Sequence, residues 1–147
     1  MIKDIPTQPA AVGRAVTDAD HLGQVIDRTF TDLFEKLAKT GTTPAAPPFV
    51  HYLKTGDQLE IELGIPVPGD LDELDGIECS TLPSGRTAVL RYTGPYDGLR
   101  DACEQLRDWV VQEEEEPAGT FWESYVTDPR TEPDPAKRIT DIYMPLA

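Results

Sequence analysis

The feature that most constrains this chain is that it contains the same pattern twice. AVGR at Ala11 to Arg14 recurs as AVLR at Ala88 to Arg91, each just ahead of a helical stretch. Phe49 and Phe121 stand early in the apolar segments after those stretches, and IPV at Ile65 to Val67 is answered by MPL at Met144 to Leu146. Matching segments in the same order mark an internal duplication. A fold built from two copies of one unit tends to place its ligand site between them.

Periodicity supplies the elements of each copy. Pro9 to Val16 reads as a strand leading into Thr17 to Gly41. There Leu22, Val25, Ile26, Thr29, Leu33 and Leu37 keep helical spacing, Thr17 or Asp18 caps the start and Gly41 ends it. The Pro-rich link Thr43 to Phe49 precedes strands at Phe49 to Lys54 and Gln58 to Val67. The acidic stretch Pro66 to Ile77 reads as an exposed connector. Strand material from Ile77 to Tyr92, broken at Pro83-Ser84-Gly85, then precedes a second helix from about Pro95 to Gln112. Leu99, Ala102, Cys103, Leu106, Trp109 and Val110 form its apolar stripe. Strands at Thr120 to Val126 and Arg138 to Pro145, joined by the polar loop Asp128 to Arg138, complete the second copy. The prediction is one α+β domain over residues 1–147, of two βαββ repeats at about 5–67 and 77–147. They form a curved antiparallel sheet with two helices on one face and a ligand cleft on the other.

Length and composition agree with one compact unit: 147 residues, 39% hydrophobic and 27% charged. No apolar run reaches the ~20 residues of a membrane span and MIKDIP lacks a signal-like apolar stretch, so a cytoplasmic location is expected. Cys79 and Cys103 should then stay reduced. With His21 and His51 isolated, no metal site is expected, and without a phosphate-binding or nucleophile-elbow motif no cofactor is. A formal net charge of -14 argues against direct nucleic-acid binding; it favours cationic partners or serves only solubility. Glu113 to Glu116, beside the negative pole of the second helix, reads as a solvated end or as a docking patch for a basic partner.

The site candidates lie in TFWESYVTDPR, Thr120 to Arg130. Strand alternation puts Phe121, Glu123 and Tyr125 on one face and Trp122, Ser124 and Val126 on the other. If Trp122 and Val126 pack on the helix, the Phe-Glu-Tyr face looks away from it. An acid among aromatic rings suits a flat apolar cation, whose attraction to the rings is worth roughly 0.5 to 2 kcal/mol. The competing reading is a solvated edge, or an ion pair of Glu123 with Arg91 or Arg138. Tyr143 either joins the aromatic wall or is a half-exposed sheet tyrosine.

Together, RYTGPYDGLR (Arg91 to Arg100), FWESYVTDP (Phe121 to Pro129) and RITDIYMPL (Arg138 to Leu146) resemble the GyrI-like small-molecule-binding domain. Gyrase-inhibitory proteins and the effector-binding domains of multidrug-responsive transcription regulators share this domain. The resemblance covers nearly the whole chain. It implies a duplicated βαββ fold with a hydrophobic cleft and an acid at its floor. Glu123 takes the acid position, Tyr125 and Trp122 match its aromatic neighbours, and Tyr96 matches the tyrosine opening the second helix. Alternation and resemblance thus disagree on which side Trp122 belongs. Phe121, Tyr143, Tyr92, Phe49 and Tyr52 are further lining candidates, and His51 stands near the repeat position of Glu123, where one residue of slip would turn it to the other face.

The function expected is a stand-alone small-molecule binder that captures amphipathic cationic or aromatic compounds. A second reading is a hydrolase that opens strained, cyclopropane-type electrophiles, with Glu123 as general base and Tyr125 beside it. A third is an interaction with gyrase through the acidic surface.

Overall fold

The computed structural model describes residues 1–68, 78–118, 120–127 and 132–147. These form strands β1 (Ile2–Ile5), β2 (Gln8–Thr17), β3 (Phe49–Lys54), β4 (Leu59–Pro66), β5 (Glu78–Leu82), β6 (Gly85–Thr93), β7 (Phe121–Tyr125) and β8 (Ile139–Pro145). Helix α1 (Leu22–Thr40) follows β2, and a 3-10 turn at Tyr96–Gly98 runs into α2 (Leu99–Gln112). Two compact units result: Thr7–Leu82, the N-terminal unit, and Met1–Pro6 with Pro83–Ala147, the C-terminal unit.

Each unit repeats one plan. In the N-terminal unit β3 pairs with β4, β4 with β2 and β2 with β5, all antiparallel. In the C-terminal unit β7 pairs with β8, β8 with β6 and β6 with β1, again antiparallel. The duplicated, antiparallel α+β architecture is therefore as predicted. The outer strands were not: β1, hidden in MIKDIP, pairs with β6, whereas β5, read as leading the second copy, pairs with β2.

The helices lie where the apolar stripes demand. α1 rests on β2 and β4 and buries Leu33 and Leu37 against Ala11, Ile65 and Val67. Its start differs from prediction: the cap position is His21 and makes no side-chain cap bond, because Thr17 is still in β2. Asp18 closes the preceding turn instead, accepting the His21 backbone N–H at 3.0 Å. α2 rests on β6 and β8 and buries Leu99, Ala102, Cys103, Leu106 and Val110 with Ala88, Ile142 and Met144. Trp109, predicted in that stripe, packs against this core while only partly buried.

The acidic run after α2 is tied down rather than wholly solvated. Glu114 takes the left-handed conformation that ends the helix, and the Glu115 carboxylate accepts two hydrogen bonds from Arg86, at 2.6 and 3.1 Å. At the other end of α2 the GPYDG turn is shaped around Tyr92. Its hydroxyl donates to the Pro95 carbonyl at 2.7 Å, and a Cβ on Gly98 would overlap that hydroxyl. Most of the acidic connector and of the Asp128 to Arg138 loop's first half, including Asp128 and Pro129, lies outside the described residues.

Candidate functional site

Register fixes which way β7 faces. Glu123 stands opposite Ile142 and Tyr125 opposite Thr140, while Ile142 stands opposite Leu90 on β6. Ile142 and Met144 belong to the core under α2, so Phe121, Glu123 and Tyr125 face the helix. The expectation that this face looks away from the helix is overturned. Trp122, not Glu123, is on the far side.

Glu123 is thus a carboxylate in the interior of the C-terminal unit, 5% exposed. Tyr125 donates its hydroxyl to Glu123 Oε2 at 2.9 Å, and the Cys103 thiol on α2 lies 4.0 Å from Oε1. Burial, and then the nearby Glu123 charge, push the Cys103 thiol up to about 12. It therefore stays protonated at neutral pH and can act only as a weak donor to the carboxylate.

The aromatic wall continues along the same side. Tyr96 meets Tyr125 edge to face, with ring centroids 5.8 Å apart, and the Arg138 guanidinium lies 5.0 Å above the Tyr96 ring. Tyr92 and Phe121 pack partly buried on the same core. Thr140 shares this face, is fully buried, and its hydroxyl has no hydrogen-bond partner among the described residues. Of the predicted residues, the fold brings together Glu123, Tyr125, Phe121, Tyr96 and Tyr92. Sequence reading missed Cys103 as a neighbour of the acid and Thr140 as the partner position of Tyr125, and treated Arg138 only as an ion-pair partner of Glu123. The β8 alternation Thr140-Ile142-Met144 was the signal that could have found Thr140.

The opposite face carries a second arrangement. Trp122 and Tyr143, directly paired across β7 and β8, stack with centroids 3.8 Å apart and planes within 2°. Beside them Arg91 makes a two-point ion pair with Asp141, at 2.9 and 3.1 Å. Arg91 is accordingly committed to Asp141 and not to Glu123. Burial and the Asp141 charge raise the Tyr143 phenol above its ordinary range, with Arg91 working against them.

Phe49 and Tyr52 lie in the N-terminal unit and are not on one face: Phe49 pairs with Gly64 and Tyr52 with Ile61. AVGR and AVLR, together with the pairings of β2 with β4 and β6 with β8, match Arg14–Glu62 with Arg91–Asp141. They also match Gly64 with Tyr143, hence Phe49 with Trp122, His51 with Ser124 and Val50 with Glu123. The repeat mate of Glu123 is therefore Val50, not His51, and Phe49 corresponds to Trp122 rather than Phe121. Arg14 and Glu62 keep the ion pair, at 3.0 Å. Only the C-terminal copy has an acid at this helix-facing position.

The two units thus share one antiparallel α+β plan, and sequence comparison gives the family. Residues 1–147 match the GyrI-like small molecule binding domain, and the chain belongs to that family. Among solved structures, the EcmrR C-terminal domain superposes with a TM-score of 0.86 at 22% identity, over 100% of this chain and 96% of that one. SAV2435, solved bound to tetraphenylphosphonium, gives 0.68 at 15% identity, over 100% and 93%. A hydrolase encoded by lin2189 from Listeria innocua gives 0.71 at 13% identity, over 100% and 91%. At these identities the likeness is one of fold. No curated protein sequence matches the chain. Among the described residues no helix is long and apolar enough to cross a membrane.

Proposed function

We propose that this protein captures amphipathic aromatic cations on the helix-facing side of β7, with Glu123 as counter-charge and Tyr125, Tyr96, Phe121 and Tyr92 as the apolar wall. The observation that carries this reading is the Glu123 carboxylate, 5% exposed among aromatic rings. A charge in such surroundings is costly, and a cation bound beside it recovers attraction that water would otherwise screen. Rings around it add burial and cation–π attraction. That SAV2435, of the same fold, was solved with a lipophilic aromatic cation supports the choice of ligand class. Because α2 lies over this face, ligand entry requires the helix or its side chains to give way, which couples occupancy to the packing of α2.

The test is a fluorescence titration with cationic, neutral and anionic aromatic dyes, reading quenching of Trp109 and Trp122, on the parent and on Glu123→Gln. A preference for cations that disappears in the variant is expected. Equal binding of all three classes by both proteins would refute the proposal.

A hydrolase working on strained electrophiles is the second reading, favoured by one contact: the Tyr125 hydroxyl on Glu123 at 2.9 Å, which would orient the carboxylate as a base toward water. The fold likeness to a protein described as a hydrolase is consistent with it. Turnover of a cyclopropane-bearing substrate, lost in Glu123→Gln, would establish it. The gyrase reading ranks last, since Glu115, within the run meant to dock a basic partner, is already held by Arg86.

A further inference from the structure

We infer that Arg138 makes this site select ligands carrying an anionic or hydrogen-bond-accepting group as well as a cation, over simple lipophilic cations; this rests on the Glu123 reading above. Arg138 directly precedes β8, and its backbone carbonyl accepts the Gly94 N–H at 2.8 Å, which anchors it beside the turn that carries Tyr96. From there the guanidinium lies 5.0 Å over the Tyr96 ring, Tyr96 meets Tyr125 at 5.8 Å, and Tyr125 reaches Glu123 at 2.9 Å. A carboxylate and a guanidinium thus stand at the two ends of one aromatic ladder.

Two buried polar groups along this ladder, one on Arg138 itself and one on Thr140 opposite Tyr125, ask for a partner. Arg138 Nε is buried with no hydrogen-bond partner among the described residues, and the same holds for the hydroxyl of Thr140, two residues along. Buried donors are ordinarily satisfied, and orphaned groups beside the aromatic ladder are what a ligand acceptor would satisfy. A simple cation gains nothing there. It meets a Tyr96 face already covered by a positive charge, and the guanidinium repels it. A zwitterionic ring system can place its cationic end at Glu123, its aromatic body along Tyr125 and Tyr96, and its acceptor on the guanidinium fork, the geometry Arg is built to recognise.

Rhodamine B, zwitterionic at neutral pH, and its ethyl ester, a cation of the same ring system, separate the two ligand types. Both should bind the parent and both should weaken in Glu123→Gln. In Arg138→Met the ratio of acid to ester affinity should fall about tenfold, from weaker acid binding and tighter ester binding. Arg138→Lys, which keeps the charge without the fork, should give a smaller fall in the same direction, and it decides the matter alone if the Met variant does not fold. Glu123-dependent binding of both dyes with an unchanged ratio in the Arg138 variants overturns the inference and leaves the Glu123 reading standing. Failure of Glu123→Gln to weaken either dye, or no saturable binding by the parent, overturns both.

Discussion

The Cys103 thiol reports directly on the interior around Glu123. Its shift from 9.0 to about 12, caused first by burial and next by the Glu123 charge, lowers its thiolate fraction. At pH 8 that means about a thousandfold less thiolate than an ordinary thiol would carry, and thiolate is the reacting species. Cys103 is also only 9% exposed, whereas Cys79 is exposed and neither is bridged. A chromogenic disulfide reagent should therefore label one thiol quickly in the native protein and two in denaturant. In Cys79→Ser the native reaction should nearly vanish. Adding Glu123→Gln to that background removes the second cause but not the first, so labelling should accelerate without reaching the rate of a solvated thiol. Rapid native labelling of Cys103 in Cys79→Ser would refute the packing of β7 against α2. An unchanged rate on adding Glu123→Gln would refute the contact with the carboxylate.

Gly64 sits under the ring of Phe49, which is 1% exposed, and a Cβ there would overlap the ring and stand 2.7 Å from its Cε1. Gly64→Ala should cost about 1 to 3 kcal/mol in urea unfolding, and less than half that cost in a Phe49→Ala background would confirm the clash as its cause. His51 is buried near Glu62 with its Nε2 lacking a partner among the described residues, and burial holds its pKa below 6.5, with Glu62 opposing. The unfolded chain then binds the proton more readily, so this contribution is present above about pH 6.5 and is lost as pH falls through the lower folded value. Melting temperature should drop between pH 7.5 and pH 5 more in the parent than in His51→Gln, a difference that equal slopes would contradict.

How much was readable from sequence depended on whether a segment's partners could be inferred. The helical stripes of α1 and α2 and strands β3, β4 and β8 follow from local periodicity, because each has one clearly apolar face. β1 escaped notice because only Ile2 and Ile5 in it are apolar and its pairing with Thr87 and Ala88 is remote in sequence. The facing of β7 was misread for a different reason. Aromatic residues occupy both of its faces, Phe121 and Tyr125 on one and Trp122 on the other, so alternation alone could not say which side meets the helix. The deciding information lay in the next strand, where Ile142 and Met144 are unmistakably core and the register ties Glu123 to Ile142. Matching Phe49 to Phe121 by residue type shifted the repeat by one position and put His51 where Val50 belongs. The acid and Tyr125 on its face were legible from strand alternation, and Tyr96 from the family resemblance. The guanidinium above Tyr96 was not, since nothing in the sequence joins Arg138 to that ring.

The central claim is that Glu123 makes the interior of the C-terminal unit a binding site for cations. Tetraphenylphosphonium and tetraphenylborate have nearly the same shape and opposite charge, so calorimetric titration of both isolates charge from fit. At about 0.15 M salt the diffuse field of the net charge of -14 is largely screened beyond ~8 Å, leaving the local carboxylate to discriminate. The parent should bind the phosphonium and reject the borate, and Glu123→Gln should cut phosphonium affinity about tenfold to a hundredfold, as expected for losing one buried charged partner. Phosphonium binding undiminished in Glu123→Gln, or borate binding as tight as phosphonium in the parent, would contradict the account.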